Sequence, residues 1–116
     1  MIGLDPDEAA VWRIIRERRG RETAVSVRAL SGATGLRDVE IRHAVRTLIM
    51  ERGRLIASAV SRPAGFYIAS TPEEIKEATR SLRHRGVSIL ARAARLQKLS
   101  IEEIFRQTVM EFEHVR

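Results

Sequence analysis

The sequence predicts a mainly α-helical fold with a small β-hairpin, and three observations lead there. Apolar residues recur at three- and four-residue spacing through most of the chain. Aromatic residues make up only 4%, which favours aliphatic helix packing over a β-sandwich. The stretch from Ser26 to Ser70 reads as a short helix, a glycine turn, a basic amphipathic helix and a two-stranded hairpin with Arg62 at its tip. That order predicts a winged helix-turn-helix followed by C-terminal helices. With 116 residues the chain suits one compact core plus an appendage. The expected division is residues 1–71 for the core and 72–116 for a helical extension that mediates dimerisation or partner docking.

The first helix opens at Asp5-Pro6-Asp7-Glu8. An acidic cap followed by proline satisfies free N–H groups and suits the positive end of the helix dipole. Val11, Ile14 and Ile15 face inward with Trp12 at the border, and Gly20 is the expected stop. Thr23 to Val27 reads as a short strand or an extended link. Ser26 caps a second helix over Val27 to Ala33, whose narrow buried stripe is Ala29, Leu30 and Ala33. Gly35 closes it in the left-handed conformation, and Leu36 anchors the turn.

The third helix should run from Arg37 or Asp38 to Arg52 and end at Gly53, with Ile41, Ala44, Val45, Leu48 and Ile49 toward the core. At about 100° per residue, Val39, Arg42, His43 and Arg46 form one outward stripe along its first two turns. Arg37 stands where a capping serine or threonine is usual, which weakens the start by about 1 kcal/mol. Leu55–Ser58 and Phe66–Ala69 are the expected strands, joined through Ser61-Arg62-Pro63-Ala64-Gly65. Alternation in so short a hairpin commits at least one of Phe66 and Tyr67 to the core.

Thr71-Pro72-Glu73-Glu74 is a capping box that starts a long helix. Along it Ile75, Thr79, Leu82, Gly86, Ile89, Ala93 and Leu96 alternate at spacings of four and three, a seam suited to another helix. Gly86 costs about 1 kcal/mol there relative to alanine, so a break is expected unless a bend or a close helix approach compensates. Ser100-Ile101-Glu102-Glu103 opens the last helix, with Ile101, Ile104, Phe105, Thr108, Phe112 and Val115 on one stripe. Ile75, Leu82, Ile89, Leu96, Ile104, Phe105 and Phe112 are the expected dimerisation residues.

Charge directs the functional reading. There are 21 basic residues against 15 acidic, a net +6, and all the basic ones but Lys76 and Lys98 are arginine. Such a surface attracts polyanions by counterion release, and arginine pairs bidentately with phosphate and guanine. Between Arg80 and Lys98 basic residues occur without an acidic one, which makes a solvated face or a second phosphate-contacting surface. There is no cysteine, and His43, His84 and His114 lack metal spacing. No glycine-rich phosphate loop or nucleophile elbow is present, so neither an enzyme nor a cofactor is expected. Without a long apolar run or a basic, apolar leader, a cytoplasmic, non-membrane location is expected.

The candidate DNA-binding residues are Arg28, Arg37, Val39, Glu40, Arg42, His43, Arg46 and Arg62. Arg42, His43 and Arg46 read or flank the major groove, while Arg28, Arg37 and Arg62 position phosphates. Glu40 either accepts from a cytosine or orients Arg37 or His43, and orientation is the simpler role. Gly20-Arg21-Glu22, Gly35 to Arg42, Ile56-Ala57-Ser58, Gly65-Phe66-Tyr67-Ile68-Ala69 and Thr71 to Ile75 resemble small winged-helix proteins of bacteriophages and prophages, over residues 9–98. The resemblance implies double-stranded DNA binding in transcription control or phage replication. A different class of function is a protein-interaction module that docks on a replication or transcription protein through the winged-helix surface or the terminal helix. RNA binding is a third.

Overall fold

The computed structural model describes residues 3–115. It is mainly helical with one two-stranded antiparallel sheet: α1 Pro6–Ile15, a short 3₁₀ turn Arg21–Thr23, α2 Val27–Thr34, α3 Asp38–Met50, β1 Ile56–Ala59, β2 Gly65–Ile68, α4 Pro72–Gln97 and α5 Ile101–Val115. The chain forms two compact units, Met1–Ala78 and Thr79–Arg116.

The helix starts follow local hydrogen-bond chemistry. The Glu8 N–H donates to Asp5 Oδ1 at 2.8 Å and the Ala29 N–H to Ser26 Oγ at 3.0 Å. Thr71 and Glu74 satisfy each other's N–H groups at 3.1 and 3.3 Å, as do Ser100 and Glu103 at 3.2 Å. Each contact supplies an acceptor to a donor that the first helical turn leaves free.

The core of the first unit gathers Val11 and Ile15 of α1, Leu30 of α2, Ile41, Ala44, Val45 and Leu48 of α3, and Val25, Ile56, Phe66 and Ile68. The hairpin pairs Ile56 with Ile68 and Ala59 with Gly65. Its other face carries Ala57, Tyr67 and Ala69, packed with Ala24, Ala59 and Ala78. Both faces are therefore covered, which is why Phe66 and Tyr67 are both buried.

Several elements depart from the sequence expectation. α1 ends at Ile15, before Gly20. The backbone beyond it pairs with β2 instead: the Ile68 N–H donates to Arg18 O at 2.7 Å and the Gly20 N–H to Ile68 O at 3.2 Å. Ala29 and Ala33 are exposed, leaving Leu30 as the buried residue of α2. Ile49, expected inside, is 38% exposed, because it lies on the solvent edge of α3. The strands sit one residue from their expected starts, with Leu55 outside β1 and Ala69 outside β2. α4 runs unbroken through Gly86. Val115's side chain lies outside the described residues.

One ion pair ties the ends of α1 and α3 together. Arg52 Nε donates to Glu8 Oε1 at 2.9 Å, and Glu8 is only 4% exposed. The carboxylate hydrogen bond and charge raise the Arg52 pKa above its ordinary value. Glu8 is thus more than a residue that suits the dipole: its carboxylate closes the core edge where Arg54 also stacks on Trp12, 4.8 Å from the ring centroid.

The hairpin is fixed to the body by Val25, whose N–H and C=O both bond to Phe66, at 2.9 and 2.8 Å. Gly65, at φ 138°, makes that approach possible, since a methyl group there would collide with the Val25 carbonyl. Gly65→Ala is expected to cost at least about 2 kcal/mol in urea denaturation. Gly35→Ala, at φ 78° with open space around it, should cost about 1 kcal/mol. Equal losses would show that the Val25 contact gives way freely. Arg52→Ala, which strands the Glu8 carboxylate, is expected to cost about 2 kcal/mol in the same assay.

Candidate nucleic-acid interface

The candidate interface is built on α2, α3 and the hairpin. The turn between the helices is braced by side chains. Gly35 adopts φ 78° and its N–H donates to Ser31 O at 2.8 Å; Ser31 Oγ donates to Leu36 O at 2.6 Å, and the Leu36 N–H to Thr34 Oγ1 at 3.2 Å. The half-buried Leu36 packs against the core. These contacts set how α3 leaves the turn.

α3 starts without a side-chain acceptor at Arg37. Glu40 compensates, accepting from the Arg37 N–H at 2.8 Å and from its Nε at 3.3 Å. The bond from the Arg37 N–H, followed by its guanidinium, holds the Glu40 carboxyl below the usual carboxylate range. Glu40 therefore orients Arg37, and Arg37 keeps its side chain 77% exposed.

With Ile41, Ala44, Val45 and Leu48 buried, the opposite side of α3 is open: Val39, Arg42, His43 and Arg46 are all exposed. Arg42 and Arg46 have no carboxylate partner among the described residues. Arg28 on α2 is exposed as well. The two edges of the stripe differ in charge. A shallow cleft of about 320 Å³ is lined by Asp5, Asp7, Glu8, Val39, Glu40, His43 and Ala44, so His43 borders an acidic rim while Arg42 lies on the far edge.

Arg62 is exposed at the hairpin tip, where the Arg62–Pro63 peptide is cis. Its backbone is held by Arg21, whose guanidinium donates to Ser61 Oγ at 2.6 Å, Ser61 O at 3.2 Å and Arg62 O at 3.1 Å. Sequence reasoning missed Arg21. One arginine in the Arg18-Arg19-Gly20-Arg21 run carries no local signal for a contact about forty positions away.

Of the residues expected to dimerise, Ile104 is buried within its own chain at 3% exposure and is removed from that set. Leu82, Ile89, Leu96, Phe105 and Phe112 are exposed, and Ile75 partly so. Among the described residues no cluster of His, Cys, Asp or Glu could hold a metal ion, and no helix is long and apolar enough to cross a membrane. No protein-family model, curated protein or solved structure matches the chain.

The caps generate a pH dependence. Backbone N–H bonds hold the Asp5, Glu40 and Glu103 carboxyls below their ordinary pKa. A carboxyl with a folded pKa below its unfolded one contributes stability that is complete above about pH 4 and is lost as the pH falls through the depressed value. The thermal midpoint is expected to drop on acidification below that range, and to drop less in Glu40→Gln. A thermal series from neutral to acid pH reads both slopes.

Proposed function

We propose that this chain is a non-catalytic double-stranded DNA-binding protein of winged helix-turn-helix type, acting in transcription regulation or in phage-type replication. α3 serves as the recognition helix and the β1–β2 hairpin as the wing. The observation that carries the reading is that Arg42 and Arg46 are exposed on α3 opposite its apolar buried side and have no carboxylate partner among the described residues. Arg42 and Arg46 are long enough to reach guanine edges from the first two turns of a groove-seated helix. Arg28, Arg37 and Arg62, all exposed, serve as phosphate contacts, and the braced turn and Arg21-held tip reduce the disorder that binding must remove. The C-terminal helices join two copies, which would present two recognition helices to a duplex.

Fluorescence anisotropy with labelled duplex DNA across a salt series tests the reading. Binding is expected at low salt, with affinity falling log-linearly as salt rises. Arg42→Glu with Arg46→Glu should weaken it by at least about tenfold, since each base or phosphate contact is worth about 1 kcal/mol or more. Affinity that is indifferent to salt, or unchanged in the double variant, refutes it. A module that docks on a protein through α5 keeps its partner in the double variant, and one that binds RNA is competed more strongly by single-stranded RNA than by duplex.

A further inference from the structure

We infer that α4 pairs antiparallel with α4 of a second copy, through the seam Thr79, Leu82, Gly86, Ile89, Ala93 and Leu96. This deepens the two-copy element of the proposed function and does not require DNA binding.

The seam alternates residue size. Thr79, Gly86 and Ala93 recur every seventh position, and Leu82, Ile89 and Leu96 do the same between them. In a parallel pair identical residues meet, so layers of two leucines would alternate with layers of two small residues and leave voids. An antiparallel pair centred between Val87 and Ser88 sets Thr79 against the partner's Leu96, Leu82 against the partner's Ala93, and Gly86 against the partner's Ile89. Each of the six layers then holds one large and one small side chain.

Two further observations support a second copy. Leu82, Ile89 and Leu96 are 58, 62 and 80% exposed, while the buried side of α4 in this unit is marked by Ala94. Taking roughly 200 Å² for each, these three side chains leave about 400 Å² of apolar surface open along one side of α4. Three residues alone thus supply about half of the roughly 800 Å² per partner of a stable interface. Gly86 is the other observation. It weakens the middle of a long helix, yet, its chain neighbours and adjacent helix backbone aside, no described atom of its own chain lies within 4 Å of where its Cβ would be. Close approach of the partner's Ile89 supplies the reason for a glycine there.

The pairing also brings Arg85 beside the partner's Arg92 on one flank. Self-association should therefore strengthen as salt screens the cations, the opposite sign to DNA binding.

Light scattering and sedimentation of the full chain without DNA at micromolar concentration should give twice 13.1 kDa. Gly86→Lys, which improves helix propensity, should keep the far-ultraviolet helicity and halve the mass. The chain has no native cysteine, so orientation can be read by oxidation. Leu82→Cys and Ala93→Cys should each stay uncrosslinked alone, because like positions lie about 16 Å apart along the axis. Mixed together they should form the disulfide. A monomeric chain, a dimer that survives Gly86→Lys, or a crosslink in either variant alone overturns the inference. A monomer that still binds duplex DNA defeats this pairing and spares the DNA reading; a dimer of the expected register that binds none does the reverse.

Discussion

The first unit depends on the buried side of α3. Ile41, Ala44, Val45 and Leu48 meet α1, α2 and the hairpin in one cluster, so the helix cannot rotate without moving its aliphatic residues into water. At roughly 1.5–3 kcal/mol for each large aliphatic side chain buried, that constraint outweighs the cost of a start lacking a side-chain acceptor. The direction of Arg42 and Arg46 is a consequence: they face outward because their neighbours on the helix cannot.

Polar contacts then hold what the core leaves loose. The Glu8–Arg52 pair joins the start of α1 to the end of α3, where Gly53 at φ 67° and the Arg54 N–H on Leu48 O turn the chain toward β1. Arg21 does the equivalent at the hairpin tip. The exposed Arg21 contacts add little stability of their own, whereas the Glu8–Arg52 pair satisfies a buried carboxylate; each removes a freedom of the backbone near the candidate interface.

Helix existence, the four N-terminal caps and the glycine turn were legible in the sequence because each depends on neighbours within four residues, and the hairpin because its strands flank a short Pro-Gly turn. Failures occurred where distant backbone decided. α1 stops before Gly20 since the next residues gain two bonds to Ile68, a competitor invisible to local periodicity. Ala29 and Ala33 match a helical stripe, yet α2 is too short and too weakly covered for alanine to be drawn in. Both of the hairpin's aromatics are buried because a second cluster forms on its outer face around Ala78, a residue of the following helix. The outward stripe of α3 could be read residue by residue, but its unequal edges could not, because Asp5 and Asp7 arrive from another helix.

That inequality bears on how a duplex would approach. Phosphates carried across the Val39–His43 edge would come near Asp5, Asp7 and Glu8, whereas those crossing the other edge would meet Arg42 and Arg46. At a Debye length of about 8 Å in physiological salt, carboxylates lining a common cleft with His43 are close enough to matter. Counterion release rewards only the arginine side. On the proposed DNA reading, the favoured pose is therefore displaced from the acidic edge of α3 toward its Arg42 edge. On the same reading His43, beside the acidic rim, falls at the margin of the groove, and the burden of recognition shifts to Arg42 and Arg46.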